Sequence, residues 1–186
     1  MNNIFAYAPK ELSTDAFLKW LFLECKENSQ FKPYALDLFS KVCKMPCVDP
    51  IENVDCLLQT GSVDLLLKFS QGDSQRKILF ENKTWTSIHS DQLKRYRKNF
   101  PDCDKYIYLK LGFIDYQEAE DAADAGFMVS SSKDLLAAIE PIQGKSMISD
   151  QYIYFLKETF VNYIASLQKR IEMNDPLVFT EGEAQR

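Results

Sequence analysis

The sequence predicts a mixed α/β or α+β domain, with a central β-sheet flanked by helices and additional helices at the N- and C-terminal ends. Three observations predict it. Apolar residues recur at helical spacing near both ends of the chain, and three consecutive strand-like runs joined by tight turns fill the middle. After them a helix, a strand, a helix and a further short strand alternate.

Leu12 to Cys25 opens the chain as a helix, with Ser13 and Thr14 as cap, Asp15 at the positive end of the dipole, and Phe17, Leu18, Leu21 and Phe22 on one face. A second helix is predicted over Pro33 to Val42, with Tyr34, Leu38, Phe39 and Val42 inward, followed by a proline-containing loop over Lys44 to Asn53. NVDCLLQT, the turn Gly61-Ser62 and VDLLLKF read as a hairpin, and QGDSQ leads into KILFENKT as a third strand. Asp91 to Phe100 is a helix with Leu93, Tyr96 and Phe100 on its apolar side, and Pro101 ends it. KYIYLKL is a buried fourth strand, the acidic run Tyr116 to Ala125 a helix, FMVSS a short strand and SKDLLAAI a helix. One long amphipathic helix follows from about Ser149 to Met173, with Tyr152, Phe155, Leu156, Phe160, Ile164 and Leu167 as its seam. Residues 1–175 are expected to form one domain, with 176–186 as a loose polar tail.

Composition narrows the function classes. At 186 residues and 46% hydrophobic, the chain can bury a core of its own. The start MNNIFAYAPKEL lacks the basic region and apolar run of a signal peptide, and no stretch is long enough to span a bilayer, so a cytoplasmic protein is expected. Five scattered cysteines read as reduced core thiols. With His89 the single histidine and no CxxC, a structural zinc or a Ser/His/Asp triad is disfavoured, and no phosphate-binding glycine loop is present. A net charge of −5 argues against bulk electrostatic binding of nucleic acid. The charge is polarised, however. Lys83, Lys94, Arg95, Arg97 and Lys98 cluster against Asp91 alone, whereas five acids and no base lie between Asp115 and Asp124.

The stretch ILFENKTW places Glu81 and Lys83 two residues apart on a strand, hence on one face. If the strand carrying Asp64 pairs with it through QGDSQ, Asp64 approaches that same face. Two carboxylates and an amine beside a basic helix are what phosphodiester hydrolysis requires. Hard oxygen ligands hold Mg²⁺, and a lysine orients or deprotonates water or neutralises the developing charge. A structural ion pair is the competing reading of the same three residues.

The series GSVDLLLKF, ILFENKTW and QLKRY, with the opening ELSTDAFLKWL, resembles the PD-(D/E)XK nuclease superfamily, in particular a bacterial branch with a D…ENK…QLxRY pattern. The resemblance implies a restriction-endonuclease-like fold and a Mg²⁺-dependent nuclease, with Mn²⁺ as a substitute metal, acting on nucleic acid and specifically DNA. It implies Asp64, Glu81 and the backbone carbonyl of Asn82 as metal ligands and Lys83 as the catalytic lysine. Glu11 corresponds to an additional acid for a second metal, and Gln92 to a glutamine beside the active site, with Tyr96 one turn later. Lys94, Arg95, Tyr96 and His89 are the candidate substrate contacts; solvated helix and loop positions are the alternative. The departure from the pattern is TWTSIHS, residues 84–90, where similar proteins carry small and acidic residues. The resemblance also points to bacterial defence and leaves room for a separate recognition domain or partner protein. Two other readings stand beside it: a catalytically inactive nucleic-acid-binding module on the same fold, and a partner-binding protein that dimerises through its last helix.

Overall fold

The computed structural model describes residues 3–8, 10–89 and 91–173. The first helix, α1 (Lys10–Glu27), begins earlier than its cap signals predict. Ser13 and Thr14 therefore lie inside the helix and are buried, and neither caps it. The Thr14 hydroxyl instead donates back to the Lys10 carbonyl at 3.0 Å and accepts from the Tyr152 hydroxyl at 3.0 Å. The expected helix from Pro33 divides into a 3₁₀ turn (Lys32–Tyr34) and α2 (Ala35–Val42), which buries Leu38, Phe39 and Val42.

Three antiparallel strands follow: β1 (Ile51–Thr60), β2 (Val63–Gln71) and β3 (Ser74–Lys83). Gly61 and Ser62 both adopt left-handed backbone, φ 60° and 69°, which matches the twist of a two-residue hairpin. Then come α3 (Gln92–Asn99), β4 (Lys105–Lys110), α4 (Tyr116–Asp124), β5 (Met128–Ser131) and α5 (Ser132–Ile139). β4 pairs parallel with β3, and β5 parallel with β4, so the sheet is mixed, in the order β1-β2-β3-β4-β5. Parallel neighbours need a crossover, and α3 and α4 supply the two.

Side-chain alternation divides the sheet between two cores. Leu65, Leu67, Ile78, Phe80, Ile107 and Leu109 face α1, α2 and the C-terminal helices, where Phe17 stacks on Tyr152 at 3.7 Å. Leu66, Leu79, Tyr106 and Tyr108 face Leu93 and Tyr96 of α3 and Ala122 of α4. The fold is thus a mixed sheet with helices on both faces.

The predicted long C-terminal helix is α6 (Met147–Leu156), a π-helical turn (Lys157–Val161) and α7 (Asn162–Glu172). Its seam holds through Phe160 and then fades, because Ile164 and Leu167 are only half-buried. The π turn sets Phe160 against Trp85, ring centroids 5.4 Å apart. Pro176 and the predicted tail lie outside the described residues. Among the described residues no helix is long and apolar enough to cross a membrane.

Where the chain leaves β4, the Gly112 amide donates to the Thr84 carbonyl at 3.1 Å. A Cβ at Gly112 would stand 2.4 Å from that oxygen and 2.6 Å from the Trp85 ring. Gly112→Ala should therefore lower unfolding stability by about 1–3 kcal/mol in a denaturant titration. An unchanged midpoint would show that the β3–α3 connection yields freely.

Candidate active site

The hairpin register explains why Asp64 and Glu81 meet. Gln71 lies opposite Ser74 at the turn and Leu65 opposite Phe80 at the far end, and one further step beyond Leu65–Phe80 sets Asp64 opposite Glu81. There the ladder forks. The Asn82 amide, with no β2 carbonyl to bond, donates to Asp64 Oδ2 at 2.7 Å. The amide and carbonyl of one strand residue point to the same edge. The Asn82 carbonyl is therefore turned toward Asp64, while the Lys83 carbonyl, on the other edge, accepts from the Leu111 amide at 2.9 Å. Gln59, at the end of β1 with φ 51°, donates to Asp64 Oδ1 at 3.3 Å.

Glu81 is 1% exposed. Its Oε1 accepts from Lys83 Nζ at 2.6 Å and from Gln92 Nε2 at 2.7 Å, while its Oε2 is buried with no partner. Burial, then the neighbouring Asp64 charge, raises its pKa from 4.5 to about 7 against the opposing pull of Lys83. Burial disfavours the Lys83 ammonium, but Glu81, Asp64 and Glu11 outweigh it and raise its pKa. Lys83 is therefore a cation at neutral pH in this state, a donor and not a free base.

The helix after the motif strand closes the site from one side. Gln92 Nε2 also donates to the Tyr96 hydroxyl at 2.7 Å, and that hydroxyl donates to the Ser62 carbonyl at 2.5 Å. Phe100 lies against Gly61, where a Cβ would be 2.8 Å from the ring. α3 thus grips the β1–β2 turn two residues before Asp64 and touches Glu81 at the same time. Tyr96, expected among the substrate contacts, is buried with its hydroxyl engaged in this chain, so its place is structural. Lys94, Arg95 and His89 are exposed, whereas Arg97 is stacked 4.2 Å over the Tyr106 ring.

Glu11 stands in the first turn of α1, not before it. Its Oε1 accepts from the Thr84 amide at 2.9 Å, the Thr84 hydroxyl at 3.1 Å and the Thr86 hydroxyl at 3.3 Å, fastening the chain just after the motif strand. Asp15 was read from the sequence as a dipole residue, yet it is 1% exposed and its Oδ1 accepts from the Asn82 side-chain amide. Its other oxygen has no partner. Burial first, then Asp64, raises its pKa from 3.8 to about 7. The missed signal was a helical stripe: Glu11, Asp15, Leu18 and Phe22 follow one another at intervals of four, three and four residues.

A cation fits this fork. Two carboxylates stand together, one buried carboxylate oxygen lacks a partner, and the Asn82 carbonyl is turned to the same edge; this all-oxygen set suits Mg²⁺ or Mn²⁺. Among the described residues no three Asp, Glu, His or Cys side chains converge into a closed metal cage.

No family model matches the chain, and no curated protein matches it. Two solved structures are similar. One is the DNA modification-dependent restriction endonuclease AspBHI, at 15% identity over 86% of this chain and 43% of that one, with a TM-score of 0.41. The other is the MspJI restriction endonuclease in complex with a 27-mer oligonucleotide, at 14% identity over 82% of this chain and 36% of that one, with a TM-score of 0.40. The chain spans less than half the length of either.

The raised Asp15 pKa carries a sign. The folded state keeps this proton between about pH 4 and pH 7 while the unfolded chain releases it, so stability falls as pH rises through that window. In EDTA, Asp15→Asn should match the wild type at pH 4 and exceed it by about 4 kcal/mol at pH 8 in denaturant unfolding. Parallel pH profiles would show that Asp15 ionises freely.

Proposed function

We propose that the protein is a metal-dependent nuclease that hydrolyses phosphodiester bonds of DNA. The observation that carries this reading is the Asp64–Glu81 pair at the fork, with Glu81 Oε2 buried and unpartnered and the Lys83 ammonium 2.6 Å from Oε1. A purely structural ion pair would have no need of a second acid opposite Glu81, close enough to share its proton. The sequence resemblance to PD-(D/E)XK nucleases supports the same reading, and the exposed Lys94 and Arg95 on α3 suit a phosphate backbone.

Asp64, Glu81 and the Asn82 carbonyl would hold the Mg²⁺, with Mn²⁺ as substitute. When bound, this ion supplies positive charge at the scissile phosphate and acidifies water. Glu81 would hold the ion as a carboxylate, without the proton it retains near neutrality here. Lys83, held as a cation, would orient the attacking water and neutralise charge developing on the phosphate. Gln92 keeps the Glu81 carboxylate in place, and Tyr96 ties Gln92 to the turn preceding Asp64. Glu11 and Asp15 brace the motif strand from α1.

The test is cleavage of supercoiled, linear and single-stranded DNA and of RNA in Mg²⁺, Mn²⁺ or EDTA. Cutting of DNA should require metal and fall by about 10²–10³-fold in Lys83→Ala, with DNA binding retained. Faster cutting of RNA would change the substrate. No cutting and no metal binding would make Asp64, Glu81 and Lys83 a structural cluster.

A further inference from the structure

A second lysine lies one strand away from Lys83. Lys110, the last residue of β4, is the parallel register partner of Lys83, as Tyr108 is of Glu81. It is 1% exposed, and its Nζ donates to Glu118 Oε1 at 3.0 Å and to the Thr86 carbonyl at 2.7 Å. The same Glu118 oxygen accepts from the Tyr108 hydroxyl at 2.5 Å. A buried ion pair is seldom retained for stability, since apolar residues of equal volume do as well or better. What only the lysine provides here is a donor for the Thr86 carbonyl.

Thr86 belongs to the segment that departs from the family pattern, between the motif strand and the basic helix α3. Its first half is fixed on every side. Glu11 takes the Thr84 amide and the Thr84 and Thr86 hydroxyls. Trp85 lies against Phe160 and Tyr163, at 5.4 and 5.6 Å. Lys110 takes the Thr86 carbonyl. Thr86 itself, Ser87 and His89 are exposed, Ile88 packs half-buried against the core under α3, and the His89 carbonyl accepts from the Gln92 amide at 3.1 Å. Between the Thr84 and His89 anchors, the exposed backbone at Thr86 is thus held from the protein side by the buried Lys110.

We infer that Lys110 is a positioning residue: through the Thr86 carbonyl it sets where the 84–89 segment stands beside Lys83, and so where the nucleic-acid strand is received. This inference rests on the nuclease reading. It touches neither metal ligands nor reacting atoms, so its loss acts on substrate binding before chemistry.

Three variants separate positioning from stability. Glu118→Gln alone keeps the Lys110–Thr86 bond, and should lower the melting temperature while leaving the KM for DNA within twofold of wild type. Lys110→Met with Glu118→Gln removes both charges and leaves Thr86 without its donor. That pair should melt near the wild type, raise KM about tenfold with kcat within about twofold, and accelerate amide hydrogen exchange across 84–89. Lys110→Gln with Glu118→Gln, which keeps a neutral donor, should fall between them at about threefold in KM. KM that tracks melting temperature across the set overturns the inference, as does unchanged exchange in 84–89. Should the methionine pair not fold, an unmoved KM in the glutamine pair overturns it equally. A wild type that neither cuts nor binds nucleic acid fails the nuclease reading; a wild type that cuts, with KM unmoved in the variants, fails only Lys110.

Discussion

Everything at this site depends on two carboxylates that the hairpin register forces together where β2 and β3 part. Asp64 caps the open Asn82 amide, which fixes it opposite Glu81, and Glu81 is buried by the helix packed over it. Burial and the Asp64 charge outweigh the single Lys83 ammonium, so Glu81 holds a proton toward neutrality although a cation stands 2.6 Å from its Oε1. Lys83 and Gln92 satisfy one oxygen of Glu81 and leave the other bare. The fold thus stores an unmet demand for positive charge at one point of its surface, and the neighbouring elements are arranged to keep that point in place. α3 reaches from Glu81 to the turn before Asp64, α1 braces Asn82 from the opposite face, and β4 carries a second lysine alongside.

This arrangement separates holding from reacting. Glu11, Asp15, Tyr96 and Lys110 all bond to backbone or to other protein side chains, and each immobilises a segment next to Asp64, Glu81 or Lys83. The nuclease proposed for this site would need such precise placement of a few groups by a rigid surround. The exposed Lys94, Arg95 and His89 lie outside this frame.

Strand logic made Asp64, Glu81 and Lys83 legible in the sequence: period two sets Glu81 and Lys83 on one face, and a tight turn at Gly72 fixes the register that brings Asp64 opposite. Helical period set Tyr96 on the inward side with Leu93 and Phe100 and one turn from Gln92, while its hydroxyl bond to the Ser62 carbonyl depends on a turn far away in sequence. Asp15 was misread because an acid near a helix start satisfies the dipole rule, and only the stripe shared with Leu18 and Phe22 betrays its burial. Glu11 gathers three donors from a loop whose shape no local pattern encodes. Lys110 and Glu118 belong to a strand and a helix that meet only once the crossover is built, so their pairing was invisible. The π turn at Lys157–Val161 likewise follows from Phe160 seating against Trp85, a contact far apart in sequence.

The central claim is that Asp64 and Glu81 share a cation, and crystals soaked in Mn²⁺ with data collected at the manganese absorption edge test it most directly. The account predicts an anomalous difference peak between the two carboxylates and near the Asn82 carbonyl, with Glu81 drawn off Lys83. No peak there, with Glu81 still bonded to Lys83 and Gln92 at saturating Mn²⁺, would contradict it.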